Sequence, residues 1–332
     1  ELMTESRGLP VVLTCGDPAG IGPEIAAKAW EVLQETHPFF WLGDPRHLPQ
    51  ETKICLIESP TETVAAARQG LPVLAHTFPE LATPGTPHAA NARSVVDVIA
   101  KAVGLVQSGE AAGICTAPIS KKVLVDHADF AYPGHTEFLA ALGGVDTRVM
   151  MLAADELRVV PVTIHIPLSE VPTALTKQHL KTTLEIVHAA MKRDFGILKP
   201  RIAVAGLNPH AGEGGMLGAE DDTIIRPVCR SLRAQGMDIT DPLPADTMFH
   251  AKARETYDVA VAMYHDQALI PIKTLAFDRG VNVTLGVPFV RTSPDHGTAF
   301  DIAGKGIAEP TSLIEAIKMA HRMASARVMA DA

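Results

Sequence analysis

Short apolar, β-branched runs alternate with helical stretches along the whole of this chain, and no other pattern narrows its fold as far. Val11 to Thr14 is such a run; CGDPAGIGPE follows it, and a helical pattern occupies Ile25 to Leu33. Strand, glycine turn and helix in that order open an α/β unit. PFFWLGD and LPVLAH read as further strands. Asn91 to Gln107 predicts a long amphipathic helix, with Val95, Val98, Ile99, Ala102 and Leu105 at helical spacing. Ala112 to Thr116 is a strand that delivers APISKK, and YPGHTEFLAALGG starts a helix at His135 or Thr136. The class is therefore α/β. At 332 residues the chain exceeds one ordinary core and suits two domains. The clustering of motifs places the first at 1–133 with 290–332 and the second at 134–289.

Composition excludes several classes of partner. Hydrophobic residues make up 47% and charged residues 20%, as in a soluble globular protein, and the formal net charge of −9 disfavours nucleic acid or an anionic membrane. No apolar run approaches the roughly 18 residues that span a bilayer, and no signal peptide is read at the start, so a cytoplasmic protein is expected. Cys15, Cys55, Cys115 and Cys229 form no CxxC pair and read as reduced thiols rather than a disulfide frame.

Three strands of the second half lead to histidines. RVVPVTIHIP ends its strand at His165, RIAVAGLNPHAGEGG reaches His210 just past its strand, and YDVAVAMYHDQ ends at His265. Ligands of open α/β sheets collect at the carboxyl ends of strands, so three imidazoles there could converge on one divalent metal. None has local ligand spacing such as HExxH, and each taken alone also reads as a loop or capping residue. The turn at Gly16, Gly20 and Gly22 is not GxGxxG. It aims backbone N–H groups at whatever lies above it, or is simply a tight turn without a ligand.

The stretch Leu269 to Pro310 strings Lys273, Asn282, Arg291, Asp295 and His296 among glycines. Fixed cations and amides beside glycines suit an anionic small molecule, because glycine admits close backbone approach and Arg grips phosphate in bidentate fashion. A long surface loop with solvated charges is the other reading. Its end, HGTAFDIAGKGIAEP, resembles the HG(S/T)APDIAGKGIANP signature of the isocitrate and isopropylmalate dehydrogenase families, where it forms the loop holding the adenosine of the nicotinamide cofactor. GDPAGIGPE, TAPISK, YPGHTEF, GLNPHAGEGG, PLPADTMF, AMYHDQ and GVNVTLGVPFVRTSPDHGTAFDIAG together resemble the 4-hydroxythreonine-4-phosphate dehydrogenases of vitamin B6 synthesis, in order, from about Val11 to the C-terminal helix. The small departures, such as Asp241 where that family commonly has Gly, fall outside the site positions.

The resemblance implies two α/β/α domains flanking a cleft, in the manner of the isopropylmalate dehydrogenases. It implies that His165, His210 and His265 bind one divalent metal (Zn, Mg or Co), and that His135, Thr136, Asp246, Lys273, Asn282 and Arg291 hold the substrate. Asp295, His296, Gly297 and Thr298 would contact NAD or NADP. The implied reaction oxidises 4-phosphooxy-L-threonine at C3, with Asp246 or Lys273 as the base. A homodimer with a shared site is expected, His165 coming from one chain and His265 from the other. The rival readings are a dehydrogenase of a phosphorylated sugar acid (4-phospho-D-threonate or 4-phospho-D-erythronate), a phosphate acyltransferase that needs no metal triad, and a non-catalytic binder of phosphorylated metabolites.

Overall fold

The structure, a computed structural model, describes residues 8–331; the outermost residues of the first predicted domain, 1–7 and 332, lie outside it. The chain divides into two compact units, one of residues up to Thr147 together with Val287–Val328, the other built on Arg148–Gly286. The sequence reading drew these divisions at 133/134 and 289/290. The helix His135–Leu142 goes with the first unit because Phe138 packs edge-on against Phe130, with ring centroids 5.4 Å apart, and is also in contact with Tyr132.

The first unit contains β1 (Val11–Thr14), β2 (Phe39–Gly43), β3 (Ile54–Ile57), β4 (Leu71–Ala75) and β5 (Gly113–Thr116). The second contains β6 (Val149–Ala154), β7 (Leu157–Pro161), β8 (Arg201–Val204), β9 (Asp238–Ile239), β10 (Val259–Ala262) and β11 (Val281–Leu285). The chain then returns to the first unit as β12 (Arg291–Pro294).

In the first unit the order is β3-β4-β2-β1-β5-β12, every pair parallel. Parallel strands are covered by helices on both faces, so they read as continuous apolar runs rather than as alternation. VVLT and FFWLG are buried at every residue. The helix Gly22–Leu33 covers one side. Pro23 sits at its start, where a missing N–H costs nothing, and Glu24 lies in the first turn beside the positive end of the dipole. Ile25, Ala29 and Leu33, four apart, are its buried stripe. Burial of one such Ile or Leu is worth about 1.5–3 kcal/mol.

The second unit runs β11-β6-β7-β10-β8-β9, with β11, β6 and β7 antiparallel in succession and β7, β10, β8 and β9 parallel. The helix His265–Ala276 covers this sheet through Ala268, Ile272 and Ala276, which join a core with Val159, Ala203, Ala260 and Ala262. The alanines on the strands let the helix approach closely. No helix among the described residues is long and apolar enough to cross a membrane.

One histidine of the first unit is a pH-sensitive element of the fold. His321, on the helix Thr311–Asp331, donates from Nε2 to the Pro38 carbonyl at 2.9 Å, and its ring meets His37 edge-on at 5.5 Å. Burial pushes its pKa down to about 4. The unfolded chain therefore takes up this proton at higher pH than the folded chain. Stability is full above the unfolded value of 6.5 and falls as pH drops towards 4, by up to about 3 kcal/mol. Urea unfolding at pH 7 and pH 4.5 should show this loss, and His321→Gln should reduce it. An unchanged loss in the variant would exclude His321 as the source.

Candidate active site

Strands β7, β10 and β8 are parallel neighbours, and beyond the carboxyl end of each comes a histidine: His165 after Pro161, His265 after Ala262, His210 after Val204. The expectation that His165 closes its strand needs correction. β7 ends at Pro161; Val162 and Thr163 still donate their N–H groups to the Ala262 and Met263 carbonyls, and the chain then turns away, leaving His165 exposed. His265 is likewise the first residue of a helix rather than the last of a strand. The rings of His165 and His265 lie 5.7 Å apart between centroids within one chain. The sequence reading drew this pair from different subunits; within one chain their rings already lie side by side.

The chemistry of this donor set suits a divalent ion. His265 Nδ1 stands 2.7 Å from Asp266 Oδ1, a contact of the kind that would fix an imidazole and leave its Nε2 open to an ion. The set is not closed as it stands: among the described residues no three His, Cys, Asp or Glu side chains lie together closely enough to hold an ion.

His210 sits in an unusual backbone. His210, Ala211, Gly212, Glu213 and Gly214 all have positive φ, between 44° and 81°, forming a left-handed turn in which three residues are not glycine. Each such residue costs roughly 1–2 kcal/mol, and such outliers persist only when their surroundings over-determine them. Asp221 supplies part of that constraint. Fully buried, it accepts from Leu207 N at 2.8 Å, Asn208 N at 3.2 Å and Asn208 Nδ2 at 3.0 Å. Gly206 makes room, since a Cβ there would stand 2.7 Å from Asp221 Oδ1. Asp246 lies exposed in the short turn Ala245–Thr247. That segment runs beside the same loop, because Gly206 N donates to the Leu243 carbonyl at 2.8 Å.

The stretch from Leu269 to Pro310 is not one loop. Lys273 is half-buried near the end of the helix His265–Ala276, its Nζ 5.5 Å from the centre of the Phe277 ring. Asn282 is half-buried on β11, opposite Leu152 of β6. Arg291 and the residues after it, as far as Val328, belong to the first unit.

There Arg291 opens β12 opposite Ile114 of β5 and is only 3% exposed. Its guanidinium donates to Thr116 Oγ1 at 2.8 Å and Thr136 Oγ1 at 3.2 Å. Burial lowers its pKa to about 10, which still leaves it charged at neutral pH. Beside it, burial and then the Arg291 charge push the His135 imidazole well below its ordinary value, so the ring is neutral. His135 Nε2 is buried and finds no hydrogen-bond partner among the described residues. A buried cation, two hydroxyls and an orphaned ring nitrogen are thus gathered here, a set with the chemistry to meet an anion. Thr116 escaped the sequence reading, although it closes the predicted strand.

The signature loop is braced from below. Asp295 N donates to Ser312 Oγ at 3.0 Å, and Ile21 N, in the glycine turn after β1, donates to the Thr298 carbonyl at 2.9 Å. Gly20 is required at that contact, for a Cβ there would stand 2.8 Å from the same carbonyl oxygen. His296 Nδ1 lies 3.0 Å from the Gly297 carbonyl, while its buried Nε2 has no partner among the described residues. Gly297 is exposed. These groups fit the adenosine of a dinucleotide, which offers donors and acceptors to an orphaned imidazole nitrogen. A cavity of about 990 Å³ opens beside Gly304, Lys305 and Gly306, walled by Glu24, Lys28 and Trp30, but none of the sequence-predicted site residues lines it.

Comparison with known proteins follows the same lines. A Roseobacter denitrificans protein named 4-hydroxythreonine-4-phosphate dehydrogenase is 63% identical over 96% of this chain and 98% of its own length. The crystal structure of a 4-hydroxythreonine-4-phosphate dehydrogenase from Klebsiella pneumoniae superposes with a TM-score of 0.89 at 37% identity, covering 97% of this chain and 99% of that one. A terephthalate 1,2-cis-dihydrodiol dehydrogenase from Burkholderia xenovorans superposes with a TM-score of 0.67 at 30% identity, over 95% and 98% of the two chains. The sequence profile described as pyridoxal phosphate biosynthetic protein PdxA matches residues 34–320, and the chain belongs to that family.

Proposed function

We propose that this chain is an oxidoreductase that oxidises 4-phosphooxy-L-threonine at C3 with NAD+ or NADP+, in the synthesis of pyridoxine 5'-phosphate. The product, 2-amino-3-oxo-4-phosphooxybutanoate, is a β-keto acid and loses CO2 to give 3-amino-2-oxopropyl phosphate. The observation that carries this reading is the near full-length identity of 63% to a relative named for that reaction.

The chain's residues take the following parts in this reading. Arg291 meets the phosphate with a buried, permanently charged fork, and Lys273 and Asn282 add donors. Buried Arg–phosphate contacts lose little to solvent screening, so they fix the substrate's position as well as its affinity. His135 and Thr136 orient the substrate from the helix His135–Leu142, with the neutral imidazole offering a hydrogen bond and no competing charge. Asp246 or Lys273 takes the hydroxyl proton as C3 is oxidised, and a nicotinamide cofactor, when bound, would supply the hydride acceptor. His165, His210 and His265 would hold a divalent ion through neutral nitrogens, a donor set that suits Zn or Co better than Mg. Such an ion, when bound, supplies positive charge that acidifies an adjacent hydroxyl. Asp295, His296, Gly297 and Thr298 hold the adenosine end of the cofactor. A homodimer completing the site belongs to this reading, and sedimentation at graded concentrations tests it.

The direct assay is NADH formation from 4-phosphooxy-L-threonine, abolished by chelation and restored by Zn or Co. A phosphate acyltransferase would be indifferent to the chelator, and a dehydrogenase of 4-phospho-D-threonate or 4-phospho-D-erythronate would prefer that substrate.

Two substitutions separate the subsites. Arg291→Ala should lower kcat/KM by about 2–4 kcal/mol in transition-state stabilisation, as when one side of a buried charge pair is removed; near wild-type kcat/KM would remove Arg291 from the site. His296→Ala should raise the KM for the dinucleotide more than that for the phosphorylated substrate, and the reverse pattern would move the loop to the substrate side.

A further inference from the structure

The three histidine-bearing segments are tied to one another by side chains outside the predicted ligand set. Met263, which follows β10, is fully buried, and both of its main-chain polar groups are engaged from side chains. Thr163 Oγ1, two residues before His165, donates to the Met263 carbonyl at 2.7 Å. The Met263 N–H donates to Gln267 Oε1 at 2.7 Å, and Gln267 lies two residues after His265. The other end of the same amide, Gln267 Nε2, donates to the Gly206 carbonyl at 2.8 Å, on the segment that leads from β8 to His210. The amide's orientation follows from its partners, since an N–H needs the oxygen and a carbonyl needs the nitrogen. One bonded path thus runs from the His165 segment through Met263 and Gln267 to the His210 segment.

We propose that Thr163 and Gln267 are positioning residues that tie together the segments bearing His165, His210 and His265 and so set their affinity for a metal ion. The inference rests on the reading of those histidines as ligands. Gln267 also occupies the first turn of the helix His265–Ala276, but the N–H it accepts from is that of Met263, one residue before the N-cap Tyr264. The Nε2 bond to Gly206 reaches across to another strand's loop and does nothing for the helix. Thr163 is on no helix and touches the same residue from the opposite side. The geometry is that of an outer bracing layer, whose loss typically lowers metal affinity by about 10–100-fold.

The test uses the purified, chelator-treated protein and Co2+ alone, with affinity and visible absorption bands as readouts. Thr163→Val keeps the side chain's shape and removes one bond; Gln267→Met keeps the length and removes two. Each variant should bind Co2+ about 10–100-fold more weakly, with altered band positions, at a temperature where its metal-free form is fully folded by circular dichroism. Gln267→Met breaks two bonds to the main chain, so its metal-free form should unfold somewhat earlier than that of Thr163→Val, which breaks one. Wild-type affinity and bands in a folded Thr163→Val and Gln267→Met would overturn the proposal. Co2+ binding that survives His265→Ala unchanged would overturn the underlying ligand assignment instead, and the brace with it.

Discussion

A parallel sheet covered on both faces can place polar chemistry only beyond its strand ends. In the second unit β7, β10 and β8 all point the same way, so the segments leaving them emerge side by side. A few ladder bonds continue past the strand ends, and main-chain groups beyond them also take side-chain partners. Met263 and Gly206 show how this is done, and the side chains that answer them come from next to the histidines. Satisfying the buried backbone and arranging the site are therefore one physical problem with one solution.

The first unit solves a different problem, that of keeping a cation inside a protein. Arg291 belongs to a strand whose sequence, RTSP, is polar at three of four positions and buried at all four. The guanidinium donates to two threonine hydroxyls, and Thr292 Oγ1 donates to the Ala316 carbonyl at 2.7 Å. Desolvating a charge in this way is expensive, and the two hydroxyls offset part of the cost. The neutral state of His135 is a by-product of the same burial.

The α/β class was legible because strand runs such as VVLT and FFWLG are continuous apolar runs, the mark of parallel strands buried on both faces. The helix Ala92–Gln107 was legible from its periodicity. β12 was not, since RTSP carries no apolar signal and owes its burial to partners far away in sequence. The candidate site residues were drawn from ordered motifs. Their grouping was not readable: Lys273 and Arg291 stand close in sequence but fall in different units, while His165 and His265, a hundred residues apart, have neighbouring rings. Asp221 had no local signal at all, as its three donors are contributed by a loop that only tertiary structure brings to it. Thr163 and Gln267 had a weak one, being spaced two residues from a histidine.

The first unit is discontinuous, and this shapes how the chain comes off the ribosome. When β5 has been made, one of its sides pairs with β1, but the strand for its other side is β12, whose residues emerge only after the whole second unit. Throughout that interval β5 is an open sheet edge, bonded on one side and apolar in sequence. Domains usually fold as units, amino-terminal first, yet here the second unit can finish before the first. A nascent chain stalled between about residues 150 and 290 would present that edge to its neighbours, and open edges are where chains pair wrongly. The vulnerable period of this protein's synthesis is thus set by the length of the insert and not by the stability of either unit.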